Sequence, residues 1–321
     1  MKVAFIIITC LLFFIEKQMA QTKIPRMFSM QDKFAKKNIK KHIKHDTLIA
    51  TSDAILHISY SNENDKPTLL LLHGMGANAR TNWSSQIKTL SKSFNLILPD
   101  LIYFGESTSN SQNYSVEFQV EQIHEAVLKL GFTQKINVMG FSYGGLTAAM
   151  YNQLYLQDVQ KLIIVDGPVK FFSAQMADSV ANSLGINGLY NVISPITIDG
   201  FNAMSKAAMS KTFPLTKKIK RKIINYYFIP NKEIRDKQMI YLIDNSAHYQ
   251  SLNYNLAETQ TLLIWGSKDG VIPLRVGLEI NKSFPNTTKL VLFPKAKHDA
   301  HFREAKKFNK TITAFINDSL K

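Results

Sequence analysis

Three residues whose side chains can carry out acyl transfer occur in the chain order Ser142, Asp269 and His298. Ser142 lies in a Gly-x-Ser-x-Gly sequence, from Gly140 to Gly144, that follows an apolar run and precedes small residues. This is the context of a nucleophile elbow, a strained strand-to-helix turn that exposes the serine hydroxyl and tolerates only small neighbours. A serine hydroxyl becomes nucleophilic when a neutral imidazole takes its proton, and a carboxylate must then orient and stabilise the imidazolium. The sequence therefore predicts Ser142 as nucleophile, His298 as base and Asp269 as acid.

Each of these residues follows the end of a predicted strand. The strands cover Ile136 to Met139, Thr261 to Trp265 and Lys289 to Phe293. The carboxyl ends of parallel strands lie along one edge of a sheet, so three residues far apart in the chain are expected to converge there.

Two neighbouring residues compete for the same roles. Asp166 follows the strand from Leu162 to Val165 and is an alternative acid, and His301 is an alternative base three residues after His298. A metal site built on His298 and His301 lacks a third suitably spaced ligand, so we expect no metal there.

A second glycine-containing turn follows the apolar strand from Thr68 to Leu72 and begins His73-Gly74-Met75-Gly76. Such a turn can bring the Met75 amide back to the strand's carboxyl edge. The backbone amides of Met75 and Tyr143 are therefore predicted to hold the oxygen of a tetrahedral intermediate. Taken alone, the segment after Leu72 could also be an ordinary glycine-rich turn before the helix around Trp83 to Leu90. The helix after Ser142 would direct its positive end at the same place.

Strand and helix alternate along most of the chain but not between residues 169 and 257. That stretch is rich in aromatic residues and methionines, in helix-like segments broken by Pro195, Pro214 and Pro230. We expect residues 46–168 and 258–321 to form an α/β core with a mostly parallel sheet, and residues 169–257 to form a helical cap. A cap over the sheet edge supplies an apolar underside and some mobility.

Residues 1–20 resemble a secretory signal peptide. Lys2 precedes an apolar run from Val3 to Ile15, which is short for a membrane span, and Ala20 is an acceptable last residue before cleavage. Lipidation at Cys10 would require Thr9 at an unusual position. Cys10 is the only cysteine, so the mature chain would have no disulfide. The expected location is secreted, periplasmic or attached to the cell envelope.

The net charge of +15 is concentrated in two regions. One is a basic N-terminal arm, residues 21–45, with a possible helix, and the other runs from Lys217 to Lys222. Such patches can hold a protein at an anionic membrane surface, or they can simply form a solvated face. No nucleic-acid-reading motif accompanies the charge, so nucleic acid is not an expected partner.

At this point the chain is seen to resemble the α/β-hydrolase fold serine hydrolases. It is especially similar to the esterase-like and lipase-like group that is related to monoacylglycerol lipases and meta-cleavage C–C hydrolases. The segments that carry the resemblance are Leu69–Ala79, Pro99–Ser107, Gly140–Gly145, Leu262–Asp269 and His298–Asn309. The resemblance implies the same triad and oxyanion donors as above, with no cofactor. One departure is Lys297, where the family usually has glycine.

The expected activity is hydrolysis of carboxylic esters of small molecules or lipids through an acyl-enzyme on Ser142. A C–C bond hydrolase or a thioesterase would use the same triad, although a leader is unusual for a cytosolic catabolic enzyme. A ligand-binding protein on an inactive hydrolase fold is a further alternative, against which the presence of all three triad residue types counts.

Overall fold

The structure is a computed structural model that describes residues 33, 35–37, 39–63, 65–76, 78–212 and 214–320. The proposed signal peptide and most of the basic arm lie outside the described residues. Eight strands form one sheet: β1 His45–Ala50, β2 Ile55–Tyr60, β3 Thr68–Leu72, β4 Asn95–Pro99, β5 Ile136–Phe141, β6 Val159–Val165, β7 Thr261–Gly266 and β8 Thr288–Phe293.

The helices outside the region from β6 to β7 are α1 Ala79–Asn82, α2 Ser84–Leu90, α3 Val116–Lys129, α4 Tyr143–Leu154, α11 Leu274–Ser283, α12 Ala300–Arg303 and α13 Ala305–Ile316. Those between β6 and β7 are α5 Ala174–Ser183, α6 Leu189–Ile193, α7 Ile198–Ala208, α8 Lys217–Ile223, α9 Lys232–Asp244 and α10 Ser246–Ser251, with a π-helical turn at Ile224–Phe228. We refer to the chain between β6 and β7 as the cap. Its division from the core as a domain stays a prediction.

The strand order is β1-β2-β4-β3-β5-β6-β7-β8, with antiparallel pairing only at β1–β2 and β2–β4. From β4 to β8 all neighbours are parallel. The ends of β3, β5, β7 and β8 therefore lie along one edge. The predicted fold class, a mostly parallel sheet flanked by helices, is confirmed.

The central strands read as unbroken apolar runs because helices cover both faces of the sheet. Alternate side chains enter separate cores: Leu70 and Leu72 pack on the side of α3 and α4, whereas Leu69 and Leu71 pack on the side of α2 and α13. Burying each such side chain contributes roughly 1.5–3 kcal/mol. This packing fixes the strand ends that carry the site.

The last helix is shorter than its periodicity suggests. The sequence predicts one helix from about Glu304 to Leu320, but α13 ends at Ile316. Asp318 has a left-handed φ of 55°, and the Ser319 amide turns back to the Ala314 carbonyl at 2.8 Å. That turn closes the helix end.

Among the described residues, no helix combines the length and the apolar character that crossing a bilayer requires.

Candidate active site

Ser142 occupies a strained turn between β5 and α4. Its φ of 55° and ψ of −123° lie where non-glycine residues are rare. Two neighbours must be glycine: a Cβ on Gly140 would lie 1.8 Å from the Gly144 carbonyl oxygen, and one on Gly144 would lie 2.3 Å from the Leu72 oxygen. The Ser142 amide donates to the Val165 carbonyl at 2.8 Å, which ties the turn to β6. The predicted elbow thus forms, with Ser142 half-buried at the sheet edge.

The structure brings the three predicted side chains into one hydrogen-bonded series. His298 Nε2 lies 2.9 Å from Ser142 Oγ, and His298 Nδ1 lies 2.6 Å from Asp269 Oδ2. The Asp269 side chain is fully buried, and its Oδ1 accepts from the Val271 and Ile272 amides at 2.7 and 3.0 Å. These amides fix the carboxylate. The pattern suits an imidazole that takes the serine proton and is held in one orientation.

Asp166 lies beside this series. One oxygen atom from each of Asp166 and Asp269 and a ring nitrogen of His298 are within 4.8 Å of one another. The Asp166 side chain is fully buried, and its Oδ1 accepts from the Gly266 amide at 2.8 Å, while Oδ2 has no partner among the described residues. Burial, and then the charge of Asp269, raise the pKa of Asp166 well above its ordinary value. A protonated Asp166 satisfies this geometry, because its hydroxyl can be directed at Asp269.

The same three side chains are spaced closely enough to hold a metal ion. A metal would need an ionised Asp166 and would displace the hydrogen bond between His298 and Asp269. Burial opposes the ionisation of Asp166. The chemistry of the cluster therefore fits a neutral acid next to the hydrogen-bonded pair of His298 and Asp269 better than a metal site.

His301, the alternative base, lies behind the site. Its ring centroid is 4.2 Å from that of Phe141, which also contacts His298 at 4.8 Å. Burial, and then the neighbouring His298, lower the pKa of His301 to about 3. The imidazole beside the serine hydroxyl is thus His298, and His301 packs against the aromatic ring that supports it.

The predicted oxyanion donors occupy the two turns that meet at Ser142. Tyr143 is the first residue of α4, and Met75 follows Gly74 in the turn after β3. A Cβ on Gly74 would lie 3.1 Å from Ser142 Cβ, so the turn packs directly on the nucleophile. Within the described residues, neither amide donates to a protein acceptor, which leaves both free for a substrate oxygen.

The cap contacts both loops that carry the acid and the base. The Gly270 amide donates to the Ala207 carbonyl at 3.2 Å, and Lys297 Nζ donates to the Lys206 carbonyl at 2.5 Å. Ser210 donates through its amide to Asp299 Oδ2 at 2.8 Å and through its hydroxyl to Asp299 Oδ1. Lys297, the departure from the family pattern, therefore serves as an attachment to the cap.

A cavity of about 810 Å³ opens beside the site, between the core and the end of the cap that contains α7 and α8. It borders the site through Gly76, next to Met75, and Lys297, next to His298, whereas Ser142 is not part of its wall. Its apolar lining includes Phe201, Met204, Leu215, Ile223, Tyr227 and Phe228. The volume is in the range of ligand pockets, and the lining suits an apolar group.

Sequence reasoning missed two features of this site. It treated Asp166 only as a rival of Asp269, although its position after β6, the strand beside β7, indicates proximity to Asp269. It gave no role to Asp299 or Ser210, which are 89 residues apart, because no local pattern reports a contact over that distance.

The chain matches the model of the alpha/beta hydrolase fold family over residues 67–305. It is 30% identical over 249 residues to lipase 1 of Psychrobacter immobilis, covering 76% of this chain and 75% of that one. It is 27% identical over 275 residues to a 2-hydroxy-6-oxononadienedioate/2-hydroxy-6-oxononatrienedioate hydrolase of Pseudomonas putida, covering 84% and 94%. The lip1 structure from Acinetobacter baumannii superposes with a TM-score of 0.74 at 20% identity, covering 90% and 96%. With its elbow serine, mostly parallel sheet and family match agreeing, the chain belongs to the alpha/beta hydrolase fold family.

Proposed function

We propose that this protein is a serine hydrolase that cleaves carboxylic esters with an apolar acyl or alcohol group. The main support is the hydrogen-bonded series at the site. His298 Nε2 lies 2.9 Å from Ser142 Oγ, and His298 Nδ1 lies 2.6 Å from Asp269 Oδ2. The apolar cavity beside it and the similarity to lipase 1 of Psychrobacter immobilis support a lipid-like ester.

In the proposed reaction, Ser142 Oγ attacks the ester carbonyl while its proton passes to His298 Nε2. The tetrahedral oxygen accepts hydrogen bonds from the Met75 and Tyr143 amides, each worth roughly 2.7–4 kcal/mol of barrier. Collapse expels the alcohol, which takes the proton from His298. Water then attacks the acyl-enzyme with His298 as base, which releases the acid and restores the serine.

The test measures hydrolysis of p-nitrophenyl esters from acetate to palmitate by the full chain, by Ser142→Ala and by Ser179→Ala. Ser179 is an exposed serine on α5, so its variant should keep full activity. Ser142→Ala should lose on the order of a thousandfold or more. Turnover that is equal in all three forms would remove Ser142 from the mechanism.

A C–C bond hydrolase is the second candidate, because the Pseudomonas putida relative is matched over 94% of its length. The same triad would then act on a 2-hydroxy-6-oxodienoate. Cleavage of that class of substrate, with no turnover of any ester in the series, would select this candidate. Stable ligand binding without turnover of either class would instead indicate a binding protein.

We also propose that residues 1–20 direct export and are removed after Ala20. The support is the short apolar run after Lys2. Intact-mass measurement of protein from culture medium and envelope fractions should give Gln21 as the first residue. A mass that includes residues 1–20 would overturn the cleavage.

A further inference from the structure

We propose that the mouth of the cavity is a docking surface for an anionic lipid bilayer. The docking itself is independent of catalysis, but its purpose, delivery of an ester-bearing lipid to Ser142, rests on the proposed function. We call the exposed residues that form it the mouth surface: Met209, Lys217, Lys218, Arg221, Lys222 and Phe302.

The charged residues of the segment 200–232 are all basic. Residues 200–232 contain no aspartate or glutamate. Their basic residues are Lys206, Lys211, Lys217, Lys218, Lys220, Arg221, Lys222 and Lys232. Lys232 is paired with Asp236 and adjoins Glu233, but the other seven cations have no carboxylate within six residues in sequence. They create a positive field at this end of the cap. Such a field attracts the anionic headgroups of a membrane leaflet.

Helix α8 directs its cations outward. Ile223 packs into an apolar cluster with Phe201 and Phe228 in the cap, and Ile219 packs against that cluster. Lys217, Lys218, Arg221 and Lys222 are exposed. Lys220 differs, because it lines the cavity and its Nζ donates to Asn202 Oδ1 at 2.5 Å. One side of α8 thus forms a wall of the cavity, while its opposite side presents charge to the solvent.

Two apolar side chains mark the mouth of the cavity. Met209 and Phe302 both line it and remain 39% and 40% exposed. Met209 follows α7 in the cap, and Phe302 lies in α12 of the core. Apolar side chains near a row of cations match the two layers of a bilayer surface, the charged headgroups and the acyl boundary. A soluble anionic polymer would use the cations but would leave these two side chains in water.

A bilayer docked at the mouth surface would lie at the entrance to the cavity beside the site. The same cavity is lined by the exposed Met209 and Phe302 and by Gly76 and Lys297, which adjoin the predicted oxyanion donor and base. A lipid that leaves the bilayer through this opening can keep its apolar chain out of water along the whole path. The bilayer would therefore be the source of the substrate.

The test measures binding to vesicles without turnover, by using full-length Ser142→Ala protein in co-sedimentation. Vesicles contain either phosphatidylcholine alone or an equal mixture with phosphatidylglycerol. The test variant adds Lys218→Gln, Arg221→Gln and Lys222→Gln. The matched control adds Lys92→Gln, Lys135→Gln and Lys282→Gln. These exposed lysines lie in the segments that lead into β4, β5 and β8, Lys282 in the last turn of α11, at the opposite edge of the parallel strands. All forms share one N-terminus, so its contribution cancels.

We expect tight binding only to the anionic vesicles, weakened by salt. The test variant should bind about a hundredfold more weakly, because each basic side chain near an anionic surface contributes roughly fivefold. The control variant should change about twofold or less. Equal binding to both vesicle types, or equal losses in both variants, would overturn the docking surface.

A paired fluorescence measurement tests the orientation. Phe302→Trp should shift its emission to the blue on anionic vesicles, because the side chain enters the acyl boundary. Leu278→Trp, at a 48% exposed position on α11, should show no shift. Equal shifts at both positions would overturn the orientation. Hydrolysis of soluble esters is measured separately, so a failure of docking and a failure of the proposed esterase activity give different results.

Discussion

Ser210 of the cap donates through both its amide and its hydroxyl to the carboxylate of Asp299, the residue after His298. The same hydroxyl accepts from the Lys297 amide at 2.8 Å. Ser210 therefore holds the loop on both sides of His298. A cap that opened to admit substrate would have to release these bonds, so the position of the base is coupled to that of the cap.

We predict that Ser210→Ala lowers kcat by about tenfold with a small change in KM. Hydrogen bonds to charged groups are worth about 1.5–3 kcal/mol, and we expect part of the free energy of the bond to Asp299 to hold the His298 imidazole in position. The measurement is steady-state ester hydrolysis well below Tm. Ser251→Ala is the control, because within the part of the chain that the structure describes this cap hydroxyl bonds only to its own helix, at the His248 carbonyl. A lower Tm with unchanged kcat would show that Ser210 supports the fold only.

The two carboxyl groups near His298 are predicted to respond in opposite ways to substitution. Asp269→Asn should lower kcat on the order of ten-thousandfold, because the amide cannot stabilise the imidazolium. Asp166→Asn should keep nearly full activity, since an amide reproduces a protonated acid that accepts from the Gly266 amide. Kinetics of both variants check this, and the reversed pattern would make Asp166 the acid.

Asp166 also predicts a dependence of stability on pH. Its pKa is raised in the folded protein, so at pH values above the unfolded pKa the folded state keeps a proton that the unfolded state has lost. Its contribution to stability is therefore present below about pH 4 and is lost as the pH rises towards the folded pKa. Urea unfolding should show that Asp166→Asn gains stability relative to wild type as pH increases. A difference that stays constant with pH would mean that Asp166 is ionised in the fold.

Gly144→Ala is predicted to damage the site through the backbone. Its Cβ would press on the Leu72 carbonyl oxygen at 2.3 Å, so α4 must shift and carry the Tyr143 amide and Ser142 with it. Overpacking of this kind costs typically 1–3 kcal/mol, and we expect kcat/KM to fall on the order of a hundredfold. Gly131→Ala is the control, because its φ of 85° is strained but no atom lies within 4 Å of the added Cβ. Loss of stability without loss of activity is expected there, and a similar loss of activity in both variants would contradict the prediction.

The sequence was sufficient for those parts of the molecule that follow from local patterns. Apolar runs predicted the parallel strands, and chain order placed Ser142, Asp269 and His298 at their ends. The raised pKa of Asp166 was not predictable in this way, because it depends on complete burial beside Asp269. The contact between Ser210 and Asp299 depends on how α7 packs over the sheet edge, which no periodicity specifies.

His301 predicts an acid-sensitive stability with the opposite sign to that of Asp166. In the unfolded chain an imidazole binds a proton near pH 6.5, whereas the folded pKa of His301 is about 3 because of burial and the neighbouring His298. The unfolded state therefore binds more protons between these pH values. The contribution of His301 is fully present above about pH 6.5 and is lost as the pH falls, by at most about 1.4 kcal/mol per pH unit.

Replacing His301 with a side chain that does not titrate should remove the contribution of His301 to the slope of unfolding free energy against pH. His301→Gln keeps a polar group beside Asn82, which lies 3.4 Å from the imidazole, and His301→Leu suits the surrounding aromatic rings. Their absolute stabilities will differ because they pack differently. Their slopes of unfolding free energy against pH, measured in urea between about pH 4 and 6.5, should both be smaller than that of wild type. Since every other titrating group is common to the three proteins, equal slopes would mean that His301 is protonated in the folded state.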